Sequence, residues 1–485
     1  GVLWIGVGLL SALVLVLLGR ALVGEAPGRL VASEASAAIM VDAEAVAGRL
    51  SQALRFATIS HRDAERVERA PFMALREWLV GAYPLVHAGG GVARHAFGEG
   101  LMYVWEGSEP LEAPLLLLAH LDVVPAEAAS ASAWTRSPFG GEIADGFIWG
   151  RGTLDDKSSA IAIFEALEAA LAAGVQPRRT VYFALGEDEE VQGTRGAGRM
   201  AAWLEERGVR PFMILDEGMA LLDGAFDGVD ATVGLIGVTE RGYATIELLA
   251  EAEGGHSSMP PERTAVFALS RALARLDERP MATHLGGVMD GLLDRLSFEQ
   301  PLLQRVVTRN RWLFGGLIVR RMESKPGPNA MLRTTFAPTI VRAGEVENAL
   351  PTQARAWINA RVHPADSLDE VLAHVRWAVE GLGVEVSLLE GAREAAPVSP
   401  SEGEAWDVLG AAVAAIEPGA VLAPGLVVGA TDARHYAHLS ESVYRFFPLR
   451  LRPADLPRIH GVDERIGVEN LGEMVRFYLE LVLAE

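Results

Sequence analysis

The sequence predicts an α/β protein. It has a mostly parallel sheet with helices on both faces, a smaller α+β domain inserted into it, and a transmembrane helix ahead of it. Three observations carry this. Apolar runs of strand length alternate with helical patterns between Leu101 and Asp216. That rhythm breaks near Thr239 and returns after Pro397. The first two dozen residues are almost uncharged.

Taken in order, Val2 to Leu18 hold no charge, Arg20 interrupts, and Ala21 to Val23 resume the apolar character. A membrane span needs about 20 apolar residues. Residues 1–24 are therefore expected to be an uncleaved single-pass anchor, whose N-terminal position places the rest of the chain outside the cytosol. Residues 25–40, rich in Ala, Gly and Ser, read as a linker. From Val41 "DAEAVAGRLSQALRFATIS" has helical periodicity. "LMYVWEG" and "APLLLLAH" read as strands, the second apolar throughout, as a strand covered on both faces must be. "SSAIAIFEALEAALAAG" is a helix stopped at Gly174. "RTVYFAL", "GAGRMAAWLEERG" and "FMILD" continue the strand–helix–strand order that defines an α/β layer fold. "YATIELLAEAEGGHSSMPP", "ARAWINARVHP", "SLDEVLAHVRWAVEGLG" and "VEVSLLE" form a second α+β unit. The division is 41–239 and 391–485 for the main domain and 240–390 for the insert.

Composition narrows the chemistry. The net charge of −21 disfavours nucleic acid and anionic lipid surfaces as partners. With no cysteine there is no disulfide, no thiolate metal site and no cysteine nucleophile. A transition-metal site must be built from histidine and carboxylates.

Such a set exists. His120 ends a strand, and Asp155 stands beside Asp156 in "IWGRGTLDDK". Glu189 and Glu190 lie in "GEDEEVQG", Asp216 ends "FMILD", and His460 lies in "PRIHGVDE". Ligands of open α/β sheets bind outside the carboxyl ends of the strands, where most of these residues fall. Carboxylates gathered there raise one another's pKa unless cations compensate them. Two imidazoles with several carboxylates suit zinc, with manganese or cobalt as substitutes. Two ions need a bridging carboxylate, and Asp155 is assigned to it. Glu190 is assigned to metal, Glu189 to the general base, and Asp122 to orienting the His120 ring.

In this order, "HLDVVP", "GRGTLDDK", "GEDEEVQGTRGA", "GGHSSMPP" and "GATDAR" resemble the di-zinc metallopeptidases that include aminoacylase, glutamate carboxypeptidase and carboxypeptidase S. "SPFGGEIADGFIWGRGTLDDK" and "RTTFAPTIVRAGEVENALP" look most like the branch of carboxypeptidase S and the N-fatty-acyl-amino-acid synthase/hydrolases. The resemblance implies a fold of zinc-exopeptidase type whose insert is a lid that dimerises. It implies one zinc on His120, Asp155 and Asp216, and a second on Asp155, Glu190 and His460. It also implies a cis bond between Asp155 and Asp156. His256 would reach the active site of a second subunit and stabilise the oxyanion. Asn348 and Arg361 would contact substrate from the lid, and Gly429 and Thr431 from a loop. The implied reaction is hydrolysis of an amide beside a free carboxylate, in a peptide or N-acyl amino acid with a hydrophobic acyl group, run in either direction. The competing expectation is a catalytically silent, membrane-tethered protein that binds metal and peptide.

Overall fold

The computed structural model describes residues 2–24, 36, 38–89, 91–126 and 132–484. The core is an eight-stranded sheet. Its order is Val92–Phe97, Gly100–Trp105, Val181–Gly186, Leu115–His120, Met213–Leu222, Val443–Leu451, Val233–Glu240 and Val421–Val427. The sheet is mixed rather than mostly parallel. Leu115–His120 runs parallel to Val181–Gly186 and to Met213–Leu222, and Val443–Leu451 is parallel to the latter. The first two strands form a hairpin, and Val233–Glu240 runs back beside Val443–Leu451. Short connections can only reverse a strand, whereas parallel neighbours need a long crossover.

Helices cover both faces. Ala43–Ala53, Lys157–Ala172, Glu404–Ile416 and Val468–Val482 bury their apolar stripes in the largest core. Ala197–Glu206 packs on the opposite face with Tyr436 and Leu439. Every residue of Leu115–His120 is buried, as its unbroken apolar run requires.

A separate four-stranded antiparallel sheet has the order Thr335–Ala343, Gln353–Val362, Gly242–Glu251 and Val384–Leu388. Its two central strands alternate buried and half-buried positions. The buried set (Ala244, Ile246, Leu248, Ala354, Ala356, Ile358) packs under helices Ala265–Glu278 and Leu368–Val379. The second helix opens with a reciprocal cap between Ser367 and Glu370, which satisfies backbone donors at its first turn. The odd-numbered side chains, Tyr243 and Arg361 among them, line the other face.

The N-terminal expectation is corrected. Val2–Leu22 is a helix, but among the described residues no helix is long and apolar enough to cross a membrane. The single-pass anchor, and the placing of the catalytic part outside the cytosol that followed from it, are not supported. The end of this helix is instead held by polar contacts. Asn310 Nδ2 donates to the Leu17 carbonyl at 3.1 Å, Arg309 Nη2 donates to the Val23 carbonyl at 3.2 Å, and Ala21 is buried. Most of the expected linker lies outside the described residues.

The stretch Arg311–Val319 falls in helix Arg311–Glu323, which leaves Trp312, Leu313 and Leu317 exposed.

Candidate active site

Strand register gathers the site. His120 pairs with Gly186, which opens the "EDEE" loop, and Leu117 pairs with Leu215, just before Asp216 and Glu217. Two strand ends and the middle of strand Met213–Leu222 therefore meet at one edge of the sheet. A fourth segment, Arg151–Asp156, is brought there at the start of helix Lys157–Ala172. The Asp155–Asp156 peptide bond is cis.

Asp155 lies between the two histidines. Its Oδ1 is 2.9 Å from His120 Nε2, and its Oδ2 is 2.8 Å from His460 Nε2. Glu217 Oε1 stands 3.3 Å from His120 Nε2, and Glu190 Oε2 stands 3.2 Å from His460 Nε2. Two ligand groups result: His120 with Asp156 and Glu217, and Asp155 with Glu190 and His460. In each group the atoms lie within 4.8 Å of one another.

Asp122 is fully buried and touches both sides of this arrangement. Its Oδ1 is 3.4 Å from His120 Nδ1, and its two oxygens accept the backbone N–H groups of Glu189 at 3.1 Å and Glu190 at 3.2 Å. The imidazole and the acidic loop are thus fixed by one carboxylate, the kind of outer partner that sets a ligating ring's orientation. Asp188 serves the same loop by accepting from the N–H groups of Arg195 and Gly196.

The electrostatics ask for cations. Burial, then the charge of Asp155, pushes Glu217 well above the usual carboxylate range. Burial likewise raises Glu190 against the pull of His460. Hydrogen bonds to Asp155 and Glu190 lift His460 to about 10. Burial opposes protonation of His120, but Glu217, Asp122 and Asp155 together push it well above its ordinary value. Two buried carboxylate oxygens, Glu190 Oε1 and Asp156 Oδ1, have no hydrogen-bond partner. Protonated imidazoles here occupy the electrostatic place a divalent ion fills, and the orphaned oxygens are free acceptors. The residues therefore fit a metal centre.

Asp216 does not belong to either group. Its Oδ2 accepts the Ala433 N–H at 2.6 Å and its Oδ1 the Glu217 N–H at 3.0 Å, so it holds the loop that follows Thr431. Consecutive strand residues point to opposite faces, so only one of the pair Asp216–Glu217 can face His120. Of the two, Glu217 is the one that stands at His120, 3.3 Å from its Nε2. Its signal was present, as the second acid of "LDEG".

Glu189 is nearly buried, with Arg434 Nη1 at 3.5 Å from its Oε1. Burial and the charge of Asp432 push it well above the usual carboxylate range. Thr431 is buried, its N–H donating to Glu240 Oε2 at 3.1 Å, and Gly429 is exposed. Arg361 is half-buried, its Nε donating to Asn359 Oδ1 at 3.0 Å. His256 and Asn348 are exposed, and the Ser257 N–H donates to the Asn348 carbonyl at 3.1 Å. The structure groups these two in the inserted unit and does not bring them to the carboxylates. Sequence reading missed Glu217, Arg434, and the pair Arg151 and Glu464.

The chain is 38% identical over 439 residues to the N-fatty-acyl-amino acid synthase/hydrolase PM20D1 of Xenopus tropicalis, covering 89% of this chain and 84% of that one. It is 31% identical to carboxypeptidase S of Saccharomyces cerevisiae, covering 79% and 73%. Among solved structures, an M20 family metallo-carboxypeptidase, Sso-CP2 of Sulfolobus solfataricus, superposes with a TM-score of 0.65 at 15% identity, covering 91% and 99%. Human carnosine dipeptidase 1 superposes with a TM-score of 0.58 at 15% identity, covering 91% and 99%. With residues 116–484 matching the model of peptidase family M20/M25/M40, the chain belongs to that family.

Proposed function

We propose that this enzyme is a di-zinc hydrolase that cleaves the amide bond of N-acyl amino acids with long acyl chains, or of C-terminal peptide bonds, beside a free carboxylate. One observation carries the reading. Asp155 presents one oxygen to His120 and the other to His460, with Glu217 and Glu190 flanking them. In this reading His120, Asp155 and Glu217 hold one ion and Asp155, Glu190 and His460 the other. When bound, such ions lower the pKa of water and polarise a carbonyl, and manganese or cobalt could stand in for zinc.

The chain's own residues do the rest. Glu189 stands outside both ligand groups, and its raised pKa suits a group that takes a proton and gives it back. It removes the proton from the attacking water and delivers it to the leaving nitrogen. Asp122 holds His120 and the Glu189–Glu190 backbone in register. Arg361 binds the carboxylate of the substrate with its planar fork. Thr431, Gly429 and Asn348 line the substrate's path. Residues 240–390 act as a lid, and His256, exposed on it, serves the carbonyl oxygen in a second copy of the chain. The long-acyl preference rests on the activity named for the PM20D1 relative. The same site would run the condensation when fatty acid and amino acid are abundant.

The test is Glu189→Gln in the metal-loaded protein, assayed on N-oleoyl-phenylalanine. A fall in kcat of about 100-fold or more with metal content intact is expected of a lost general base. Turnover within about tenfold of wild type overturns the role. A wild-type protein that binds metal but turns over nothing in a mixed pool of N-acyl amino acids and dipeptides is the silent binding protein instead.

A further inference from the structure

A cavity of about 620 Å³ opens where strands Met213–Leu222 and Val443–Leu451 begin. Arg210, Phe212, Pro397, Leu439, Ser440 and Arg445 are among the residues that line it. It lies away from the catalytic edge. The Phe212 N–H donates to the Pro114 carbonyl at 3.0 Å, level with the start of Leu115–His120, whereas His120 ends that strand. Five steps along a strand separate these two levels by roughly 16 Å.

Arg445, at the floor, is the largest fully buried side chain among the described residues. Its Nη1 donates to the Val443 carbonyl at 2.9 Å, and its Nε stands 3.4 Å from Glu240 Oε2. Glu240 is fixed in turn, its Oε2 accepting the Thr431 N–H at 3.1 Å. The guanidinium is therefore held, yet its Nε and Nη2 have no hydrogen-bond partner. Buried donors left in that state are costly, more so on a charged group. Nε and Nη2 share one edge of the guanidinium plane, the kind of edge that binds both oxygens of a carboxylate. At the mouth, Arg210 is exposed, with its Nη1 donating to the Val209 carbonyl at 3.0 Å. Ser440 adds a half-buried hydroxyl, while Phe212, Pro397 and Leu439 present carbon.

We propose that this cavity is a second ligand site, for a small organic acid bound as its monoanion. The carboxylate lies on the free edge of Arg445 with Arg210 closing over it, and the carbon body lies against Phe212, Pro397 and Leu439. The site does not depend on the hydrolase reading above. Charge selects the class of ligand. Glu240 already balances Arg445, and Glu441 also lines the cavity, exposed at its mouth. The site therefore offers many N–H donors but little net positive charge. A doubly charged phosphate would be repelled by both acids, whereas a single carboxylate uses the donors at less cost. The apolar walls gain from a carbon body, which an inorganic anion lacks.

The experiment uses the metal-loaded full chain and 3-(4-bromophenyl)propionate, a carboxylate on an apolar body whose bromine anomalous diffraction can locate. Co-crystals are expected to show bromine beside Phe212. In calorimetric titrations Arg210→Gln should raise the Kd of this site about tenfold or more, the loss of one charge-assisted contact. Its kcat and KM on N-oleoyl-phenylalanine, without the probe, should stay within about twofold of wild type. Arg445→Lys keeps a charge opposite Glu240 but loses the paired N–H groups, and should weaken binding at least as much. Inorganic phosphate in about tenfold excess should not displace the probe. Bromine found only among the catalytic carboxylates, or nowhere, overturns the proposal. So does a Kd within about twofold of wild type in Arg210→Gln. Displacement of the probe by phosphate overturns the choice of an organic monoanion. Should Arg445→Lys not fold, the bromine position and Arg210→Gln decide.

Discussion

Arg151 and Glu464, 313 positions apart, form an ion pair of 2.6 Å with both side chains almost completely buried. Each partner also holds the other's loop. Arg151 Nη2 donates to the carbonyls of His460 and Gly461, both at 3.0 Å. Glu464 Oε1 accepts the N–H groups of Gly152 at 3.0 Å and Leu154 at 2.7 Å. The loop carrying Asp155 and the loop carrying His460 are thus one unit, and His460 sits in it at a positive φ of 58°.

Breaking that unit should loosen the proposed metal centre without touching a ligand. Glu464→Gln leaves the Arg151 charge buried and uncompensated, a loss of about 3–5 kcal/mol in stability for pairs of this kind. Metal affinity should fall about 10- to 100-fold, as it does when groups that orient ligands are removed. Replacing both partners, Arg151→Met with Glu464→Leu, removes the stranded charge and should recover part of the Tm but not the affinity. Thermal melts and metal titrations of the two variants check this. Recovery of both together would mean the pair matters only for folding.

The assignment of Glu217 over Asp216 makes opposite predictions for adjacent residues. Glu217→Gln should retain clearly less metal after dialysis, measured by elemental analysis. Asp216→Asn should keep its metal, because a carboxamide oxygen can still accept the Ala433 N–H. Its effect should appear as a modest rise in KM, through the Thr431–Arg434 loop. Equal metal loss in both would return Asp216 to the ligand set.

What the sequence disclosed and what it hid follow from range. Strands such as Leu115–His120 were legible because burial on both faces writes an unbroken apolar run. His120, Asp155, Glu190 and His460 were legible because each sits at an abrupt end of such a pattern or in a loop with no structural need for acids. The choice between Asp216 and Glu217 was not, since it depends on which face the strand turns toward His120, a tertiary fact. The reversal of Val233–Glu240 was hidden for the same reason, because strand direction is set by a connection and not by composition. The N-terminal stretch is the instructive failure. Hydropathy reads the helix in isolation, whereas Arg309 and Asn310, nearly three hundred residues away, supply the hydrogen bonds at its end.

Removing the metal should make stability fall as pH rises. Without ions, Glu217 and Glu190 have folded-state pKa values above their unfolded ones. The folded chain then binds more protons than the unfolded chain above about pH 4.3, the free glutamate value, so stability drops with increasing pH. The histidines act in the same direction. His460, raised from 6.5 to about 10, contributes stability that is fully present below its unfolded value and lost as pH climbs through the folded one. Divalent ions cancel both effects by taking the place of those protons. The chelated protein should therefore lose Tm steadily from about pH 6 to about pH 9, while the zinc-loaded protein stays flat or gains, its ligands needing to be deprotonated. Differential scanning calorimetry of both forms in matched buffers gives the two slopes. Parallel slopes would mean that this cluster does not exchange protons for metal.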